Sequence, residues 1–282
     1  DAYQSRGLGD VYKRQGTGKF MDYCSDTFGT VVDVGPGSPT GVCFGYGGKF
    51  PARYQNAFFI SDWSYGKLYA VHLTPKGSSY VGKVEEFVSA QPFPLTDLVV
   101  NPVDGAMYIA VGGRKVQSGL YRVTYVGEES TKPAKSTSGG ESARKRRQAL
   151  EKFVQKGVQP ANQNQLNKIW NSLGAKDRGI RHAARVALEK QPIQNWKKKL
   201  LPEKNPVIAS AAMIALARAD AKSSADILKK VMSLNYRNEK NWQQRIDVLR
   251  SITLALTRGG EPQPEQKKKL IPRLDQIYPA ST

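Results

Sequence analysis

The stretch GKLYAV at residues 66–71 recurs as SGLYRV at residues 118–123, and this pair decides the expected fold of the first half of the chain. Leu68, Tyr69 and Val71 correspond to Leu120, Tyr121 and Val123 at a constant offset of 52 residues. A period of about fifty residues is that of the four-stranded blades of a β-propeller. The repeat therefore predicts a partial β-propeller of about two blades within residues 16–126.

Short apolar, β-branched and aromatic runs surround both copies of the repeat and predict strands, because Gly, Pro, Asn and Asp separate them. The runs lie at residues 40–45, 57–62, 67–74 and 80–89 in the first unit, and at 96–101, 106–112 and 119–126 in the second. A propeller needs at least about four blades to close. We therefore expect further blades upstream, and ring closure by the other end of the chain would explain the missing outer strand of the second unit.

The first fifteen residues show neither periodicity nor a turn pattern. The string DVYKRQ at residues 10–15 resembles translated sequencing-adapter read-through at the end of an environmental assembly. We expect residues 1–15 to be a non-native leader, to be set aside like a fusion scar. On this interpretation the chain is a fragment of a longer exported protein whose signal peptide lay upstream.

A linker is predicted at residues 127–141, which read GEESTKPAKSTSGGE, because Ser, Thr, Gly, Pro and charge dominate there. Residues 142–282 then switch to helical periodicity. Helices are expected near residues 142–156, 162–173, 177–190, 192–201, 205–219, 223–234, 239–258 and 264–277.

A second repeat lies inside this helical region. Ile180, Ala183, Ala184, Ala187 and Leu188 recur as Ile208, Ala211, Ala212, Ala215 and Leu216 at an offset of 28 residues. Small Ala side chains let neighbouring helices approach closely, so the pattern predicts an α-solenoid of compact HEAT-like repeats. The expected fold class is therefore a multidomain β + α chain, in which a partial propeller precedes a helical solenoid.

Positive charge is concentrated in the helical region. Of the net charge of +19, residues 1–141 carry +1 (14 basic, 13 acidic) and residues 142–282 carry +18 (29 basic, 11 acidic). The expected partner-binding residues lie in two basic runs and are Arg144, Arg146, Arg147, Lys197, Lys198 and Lys199. Such a field attracts an acidic protein, an anionic lipid surface or nucleic acid. The alternative is a solvated face, and nucleic acid is disfavoured because no base-stacking platform is evident.

Composition excludes several classes of protein. Hydrophobic residues make up 39% and charged residues 24% of the chain, so it is neither wholly disordered nor collagen-like. Cys24 and Cys43 are too few for a disulfide framework or a four-ligand zinc site, which leaves one disulfide or two buried thiols. His72 and His182 are far apart and exclude a His-rich metal site. We expect His72 to be structural and His182 to be exposed and inert.

Three motifs carry a resemblance to a known family: GPGSPTG at 35–41, DWSYGKLY at 62–69 and GLYRVTY at 119–125. They resemble the final blades of the large membrane-bound dehydrogenase-like propeller proteins of Planctomycetes and Verrucomicrobia. These proteins are similar to the glucose/sorbosone dehydrogenases, which are six-bladed quinoproteins. The order of propeller, linker and helical repeat matches over about residues 16–278. The upstream blades and the haem-binding Cys-x-x-Cys-His of the family are absent, which truncation would explain.

The resemblance implies oxidation of a sugar or alcohol, with hydride passing to a bound quinone and electrons leaving to a c-type cytochrome. It implies pyrroloquinoline quinone and calcium in the full-length protein, and a periplasmic or membrane-associated location. We expect the fragment itself to be inactive, because a channel without most of its wall cannot hold preorganised contacts. The alternative is a non-catalytic scaffold whose basic helical surface binds an acidic protein, anionic lipid or nucleic acid.

The expected substrate-binding residues are Asp62, Trp63 and Tyr65, on the loop between the second and third strands of the first unit. That loop would lie at the mouth of a propeller channel, where Asp could orient a sugar hydroxyl and the aromatic rings could stack on it. The alternatives are that Asp62 caps a turn and that the two aromatic residues pack between blades.

The expected cofactor-binding residues are Thr96 and Asp97 between the units, and Arg114 and Lys115 on the last loop. A quinone that carries carboxylates is best bound by Arg, which offers bidentate geometry, with Lys second. The alternatives are a turn-capping Asp97 and a solvated loop at Arg114 and Lys115. No residue is assigned as the catalytic base.

Overall fold

The computed structural model describes residues 23–113, 115–135, 138–234 and 242–275. The chain forms two compact units. Of the described residues, those from 30 to 141 form the strand unit, and those from 23 to 29 and from 142 to 275 form the helical unit. The expected leader at residues 1–15 lies outside the described residues.

Two antiparallel sheets make up the strand unit. The first has the order β1-β2-β3-β4 and the second the order β5-β6-β7. The strands are β1 (Pro39–Phe44), β2 (Phe58–Asp62), β3 (Lys67–Lys76), β4 (Ser79–Ser89), β5 (Leu95–Val100), β6 (Met107–Gly113) and β7 (Val116–Val123). A short helix, α1 (Ala52–Gln55), joins β1 to β2. These strands fall where the sequence predicted them.

A single hydrophobic core holds the two sheets together. Leu68 and Ala70 of β3 and Met107 and Ile109 of β6 are fully buried in it, and the residues between them are half-buried, as a period of two requires. β1 packs against β5, and the Thr40 hydroxyl donates a hydrogen bond of 2.8 Å to the carbonyl oxygen of Leu95.

The expected partial propeller followed by a solenoid is wrong as a fold class. The described residues form a mixed α/β chain with two small sheets, of four and three strands, and a set of helices, without ring closure. The repeat that suggested blades does not mark equivalent environments. Leu68, on an internal strand, is 0% exposed, whereas its counterpart Leu120, on the edge strand β7, is 71% exposed. A repeat of this period indicates that consecutive strands pair as antiparallel neighbours. It does not indicate that the sheets are arranged around a common axis.

Helices of the second unit begin at the residues that sequence favours for helix caps. Asn162 makes a capping box with Gln165, and the side chains of Asp177 and Asn205 accept hydrogen bonds from the first backbone N–H groups of their helices. The helices are α2 (Glu141–Glu151), α3 (Gln163–Ser172), α4 (Arg178–Glu189), α5 (Pro206–Ala219), α6 (Ser224–Ser233), α7 (Trp242–Gly259) and α8 (Pro264–Asp275). In the expected helix at 192–201, two short 3-10 turns are found instead.

The small residues of the second repeat lie in the helical core. Ala183, Ala184 and Ala187 of α4 and Ala212 and Ala215 of α5 are at most 4% exposed. Their size lets α4 and α5 pack closely, as the sequence predicted. Among the described helices, none is both long and apolar enough to cross a bilayer.

Residues 23–29 belong to the helical unit, although the sequence grouped them with the strands. Asp26 is 7% exposed and lies among side chains of α4 and α7. From residue 23 the described chain therefore runs along the helical unit, forms the strand unit, and returns to the helical unit at residue 142.

Candidate partner-binding surface

Asp62 stands at the end of β2 and is buried. Its Oδ1 accepts hydrogen bonds from the backbone N–H groups of Ser38 (3.0 Å), Ser64 (2.9 Å) and Tyr65 (3.4 Å). A Cβ atom added at Gly37 would lie 2.5 Å from the carboxylate, so this loop also packs closely on it. In this arrangement Asp62 organises the loop that was expected to bind substrate.

Trp63 joins the two sheets of the strand unit. Its indole N–H donates a hydrogen bond of 3.0 Å to the carbonyl oxygen of Gly112 on β6. Gly113 lies against the ring, since an added Cβ would be 3.1 Å from it. Tyr65, on the same loop, is 48% exposed. The structure thus keeps the three expected substrate residues on one loop and gives Trp63 the packing role that the sequence left as an alternative.

The expected cofactor residues Thr96 and Asp97 lie on β5 and bond to backbone. The Thr96 hydroxyl donates to the carbonyl oxygen of Ala110 (3.0 Å), and the Asp97 carboxylate accepts from the N–H of Leu98 (2.8 Å). Gly41 of β1 lies against Asp97, because an added Cβ would be 2.2 Å from Oδ1 and 2.5 Å from Cα.

Lys115 is exposed and has a left-handed φ of 60°, while Arg114 lies outside the described residues. In the described ranges, no three His, Cys, Asp or Glu side chains lie close enough to hold a metal ion. Calcium and pyrroloquinoline quinone stay predictions from the resemblance.

A polar cluster that sequence reasoning missed lies on the strand unit. Glu85 of β4 accepts a hydrogen bond of 2.7 Å from the Tyr54 hydroxyl, and its other oxygen is 2.6 Å from Nε2 of His72. The bond from Tyr54, followed by that from His72, lowers the pKa of Glu85. His72 and Glu85 are diagonal neighbours, because β3 pairs with β4 so that Ala70 lies opposite Glu85 and His72 opposite Lys83, and this register is not evident from the sequence. The cluster fastens α1 to the sheet.

Burial raises the pKa of the Cys43 thiol to about 11, and the nearby Asp97 carboxylate adds to this effect. Cys24 and Cys43 are both free thiols, and they lie in different units. The sequence left open whether the two cysteines form one disulfide or are two buried thiols, and they form no disulfide.

The expected basic residues of α2 have different surroundings. Arg147 pairs with Glu151 at 3.1 Å, and Arg144 is half-buried. Arg146 is exposed, and its Nη2 donates a hydrogen bond of 3.2 Å to Oγ of Ser172 on α3. Arg146 therefore joins α2 to α3 through this hydrogen bond.

The lysine run is only partly open to solvent. Lys197 pairs with Asp226 at 2.6 Å, and Lys198 is exposed. Lys199 donates to Oδ1 of Asn167 at 2.7 Å, and burial lowers its pKa. Two of the three lysines thus hold helical turns together.

An open groove in the helical unit lies between α2 and α3 and has a volume of about 630 Å³. Its apolar lining comes from Ala149, Leu150, Phe153, Val158 and Ile169. The rest of the lining is polar. It consists of three basic side chains, Arg146, Lys152 and Lys168, and three uncharged ones, Gln165, Asn171 and Ser172. No carboxylate is among these lining residues. A groove that combines an apolar lining with three cations and no carboxylate suits an acidic amphipathic segment.

Comparison with known proteins gives no relative. No protein-family model, no curated protein and no solved structure matches this chain. The resemblance to the propeller dehydrogenases therefore stays a prediction.

Proposed function

We propose that this chain is a binding module whose helical unit holds an acidic amphipathic helix of a partner protein in the groove between α2 and α3. The observation that carries the proposal is the combination, in one groove, of an apolar floor and a rim of Arg146, Lys152 and Lys168. Apolar burial supplies affinity, and the basic rim supplies orientation and speed of association.

The shape of the groove favours a protein segment over the other acidic partners. A lipid surface would require a broad exposed basic face, whereas these cations border a concavity. Single-stranded nucleic acid would require exposed aromatic rings along the groove for stacking, but the one aromatic ring in its lining, Phe153, is half-buried. An acidic electron-transfer protein, as the resemblance implies, belongs to the favoured class.

Oxidation of a sugar or alcohol stays a prediction from the resemblance alone. The described residues that were expected to carry it bond chiefly to backbone groups of the strand unit. No cluster among them supports a second proposal.

The test uses a fluorescein-labelled amphipathic helical peptide of about four turns, with Leu on one face and Glu on the other. Fluorescence anisotropy should show salt-sensitive binding to the full chain. Arg146→Glu with Lys168→Glu should weaken it at least about tenfold, because the rim changes sign. Val158→Asp should weaken it similarly, since Val158 is 44% exposed and lies in the groove.

The matched control is Lys145→Glu, an exposed charge reversal on the same helix but outside the groove. It should change affinity less than about twofold at 0.15 M salt, where screening is strong. Equal loss in the control and the rim variant would mean that only net charge matters, and the groove would be rejected. No binding by the wild type would also reject it.

A further inference from the structure

A segment without helix or strand, residues 23–29 (YCSDTFG), lies on the helical unit and is held by arginines; it forms a turn in which the N–H of Thr27 donates to the carbonyl oxygen of Cys24 at 3.2 Å. The guanidinium of Arg178 donates to the carbonyl oxygens of Cys24 (2.9 Å) and Thr27 (2.9 Å). Arg185 donates to the carbonyl oxygen of Asp26 at 3.0 Å. Helical side chains therefore bind the carbonyl oxygens that this turn leaves exposed to them.

One carboxylate of the segment is recognised directly. Arg250 of α7 donates from Nε (3.0 Å) and Nη2 (2.9 Å) to Oδ2 of Asp26. The other oxygen, Oδ1, is buried and has no hydrogen-bond partner among the described residues. The same holds for Nε of Arg185. The site therefore binds the carboxylate through one of its oxygens, while the other oxygen and one guanidinium N–H have no hydrogen-bond partner among the described residues.

The two ends of the segment are held more loosely. Gln243 donates to the carbonyl oxygen of Tyr23 at 2.6 Å. The Phe28 ring contacts His182 edge-on at 5.4 Å and lies 5.7 Å from the guanidinium of Arg147. Tyr23 and Phe28 remain 43% and 39% exposed, so apolar burial contributes little to holding the segment.

These contacts are those of a peptide bound by ion pairing and main-chain hydrogen bonds rather than of a core element. We propose that the face of α4 and α7 bearing Arg178, Arg185 and Arg250 is a second peptide-binding site. It selects a turn-forming segment in which an aromatic residue follows Asp by two positions, as in Asp26-Thr27-Phe28. Residues 23–29 occupy it in cis, and a partner segment of the same chemistry competes with them.

Charge complementarity supports this occupant. Arg178 and Arg185 share a face of α4, being seven residues apart, and Arg250 joins them from α7. Glu189 pairs with Arg185 and Arg218 and offsets part of this charge. Displacement of Asp26 would expose a cationic site with its hydrogen-bond donors already positioned.

The test uses a labelled peptide of residues 23–29 carrying Cys24→Ser, titrated by fluorescence anisotropy against the full chain. The host variant Asp26→Ala/Phe28→Ala weakens the segment in cis. It should bind the peptide at least about tenfold more tightly than the wild type, because a tethered competitor acts at millimolar effective concentration. Adding Arg250→Gln to this host should reduce binding about tenfold, and Arg250→Lys by less, because Lys keeps the charge.

Arg258→Gln is the matched control, an exposed arginine on the same helix that bonds to the carbonyl of Arg218 instead. This control should leave peptide affinity unchanged. By contrast, Asp26→Asn in the peptide should abolish binding. Equal affinity for the wild type and the double-variant host would overturn the proposal. So would loss of cooperative unfolding in that host by circular dichroism, since the segment would then be an integral part of the fold.

This site is independent of the groove between α2 and α3. The Glu-rich helical probe of that groove should bind the Arg250→Gln chain as it binds the wild type. Failure of one site therefore leaves the other to be judged by its own probe.

Discussion

Arg250 and Asp26 form a paired contact across 224 residues of sequence, with two N–H groups of the guanidinium on one carboxylate oxygen at 2.9 and 3.0 Å. The Asp26 side chain is 2% exposed and that of Arg250 is 27% exposed. This contact holds the segment that precedes the strand unit in sequence against the helical unit.

Breaking this pair should destabilise the helical unit moderately. We expect Asp26→Asn to lower the free energy of unfolding by about 2 kcal/mol, because a buried charge-assisted hydrogen bond is lost. Arg250→Gln should cost a similar amount, and the double variant little more than either, since both remove one interaction. Urea unfolding followed by far-ultraviolet circular dichroism measures all three. Strictly additive losses would show that the two side chains act separately.

His182 should make stability depend on pH. Burial, followed by the charges of Arg185, Arg218 and Arg178, lowers its pKa to about 4, compared with about 6.5 in an unfolded chain. The unfolded state therefore binds the proton first on acidification. The contribution of neutral His182 to the free energy of unfolding is therefore complete above pH 6.5 and falls between pH 6.5 and about 4. Below about pH 4 it no longer changes. The total loss should be about 2 kcal/mol, because the ring stays partly exposed.

This prediction also corrects the expectation that His182 is exposed and inert, since its ring is half-buried against Phe28. The His182→Gln chain should lose this part of the pH dependence, and the difference in stability between the two chains isolates it from the carboxylates. A proton NMR titration of the two histidines gives the pKa directly. A midpoint above 6 for His182 would contradict the prediction.

Cys43 should react slowly. A pKa of about 11 leaves about a hundredfold less thiolate at pH 8 than the ordinary value of 9.0. In a Cys24→Ser chain, Ellman's reagent should therefore modify Cys43 about a hundredfold more slowly than it does in urea. Asp97→Asn should accelerate the reaction modestly, because the carboxylate contributes less than burial. A rate equal to that in urea would mean that the thiol is open.

Gly41→Ala should be severely destabilising. The added Cβ would lie 2.5 Å from the backbone Cα of Asp97, which cannot rotate away. We expect a loss of about 3 kcal/mol as β1 is pushed from β5. The comparison is Gly47→Ala, where no atom lies within 4 Å but φ is +78°. That change should cost about 1 kcal/mol from backbone strain alone. A reversed order by chemical denaturation would contradict the close approach of β1 and β5.

Local pattern was enough to locate most elements. Alternation placed β3 and β6, caps such as Asn162 and Asp177 placed α3 and α4, and the alanines of the second repeat marked the helical core. These signals act over a few residues, so no knowledge of distant parts of the chain is needed. The concentration of positive charge after residue 141 is likewise a property of the sequence.

Contacts between distant residues could not be predicted. The repeat made Leu68 and Leu120 look equivalent, but Leu68 lies on the core face of its sheet, whereas Leu120 pairs with the half-buried Ala110 of β6 and lies on the face away from the buried Ile109. Likewise, the basic runs included Lys197 and Lys199, which are paired, and omitted Lys152 and Lys168, which line the groove. Arg178 and Arg185 of α4 and Arg250 of α7 bind residues that lie 154 to 224 positions earlier in the chain, which no local pattern could indicate.

The sequence by itself determined the positions of strands and helices and the separation of charge, because hydrogen-bonding patterns and side-chain periodicity are local. Tertiary structure alone decided that the two sheets share one core, that residues 23–29 join the helical unit, and that Trp63 bonds to Gly112. These outcomes depend on which surfaces lose water together, and that is set by the packing of whole elements rather than by any short stretch of residues.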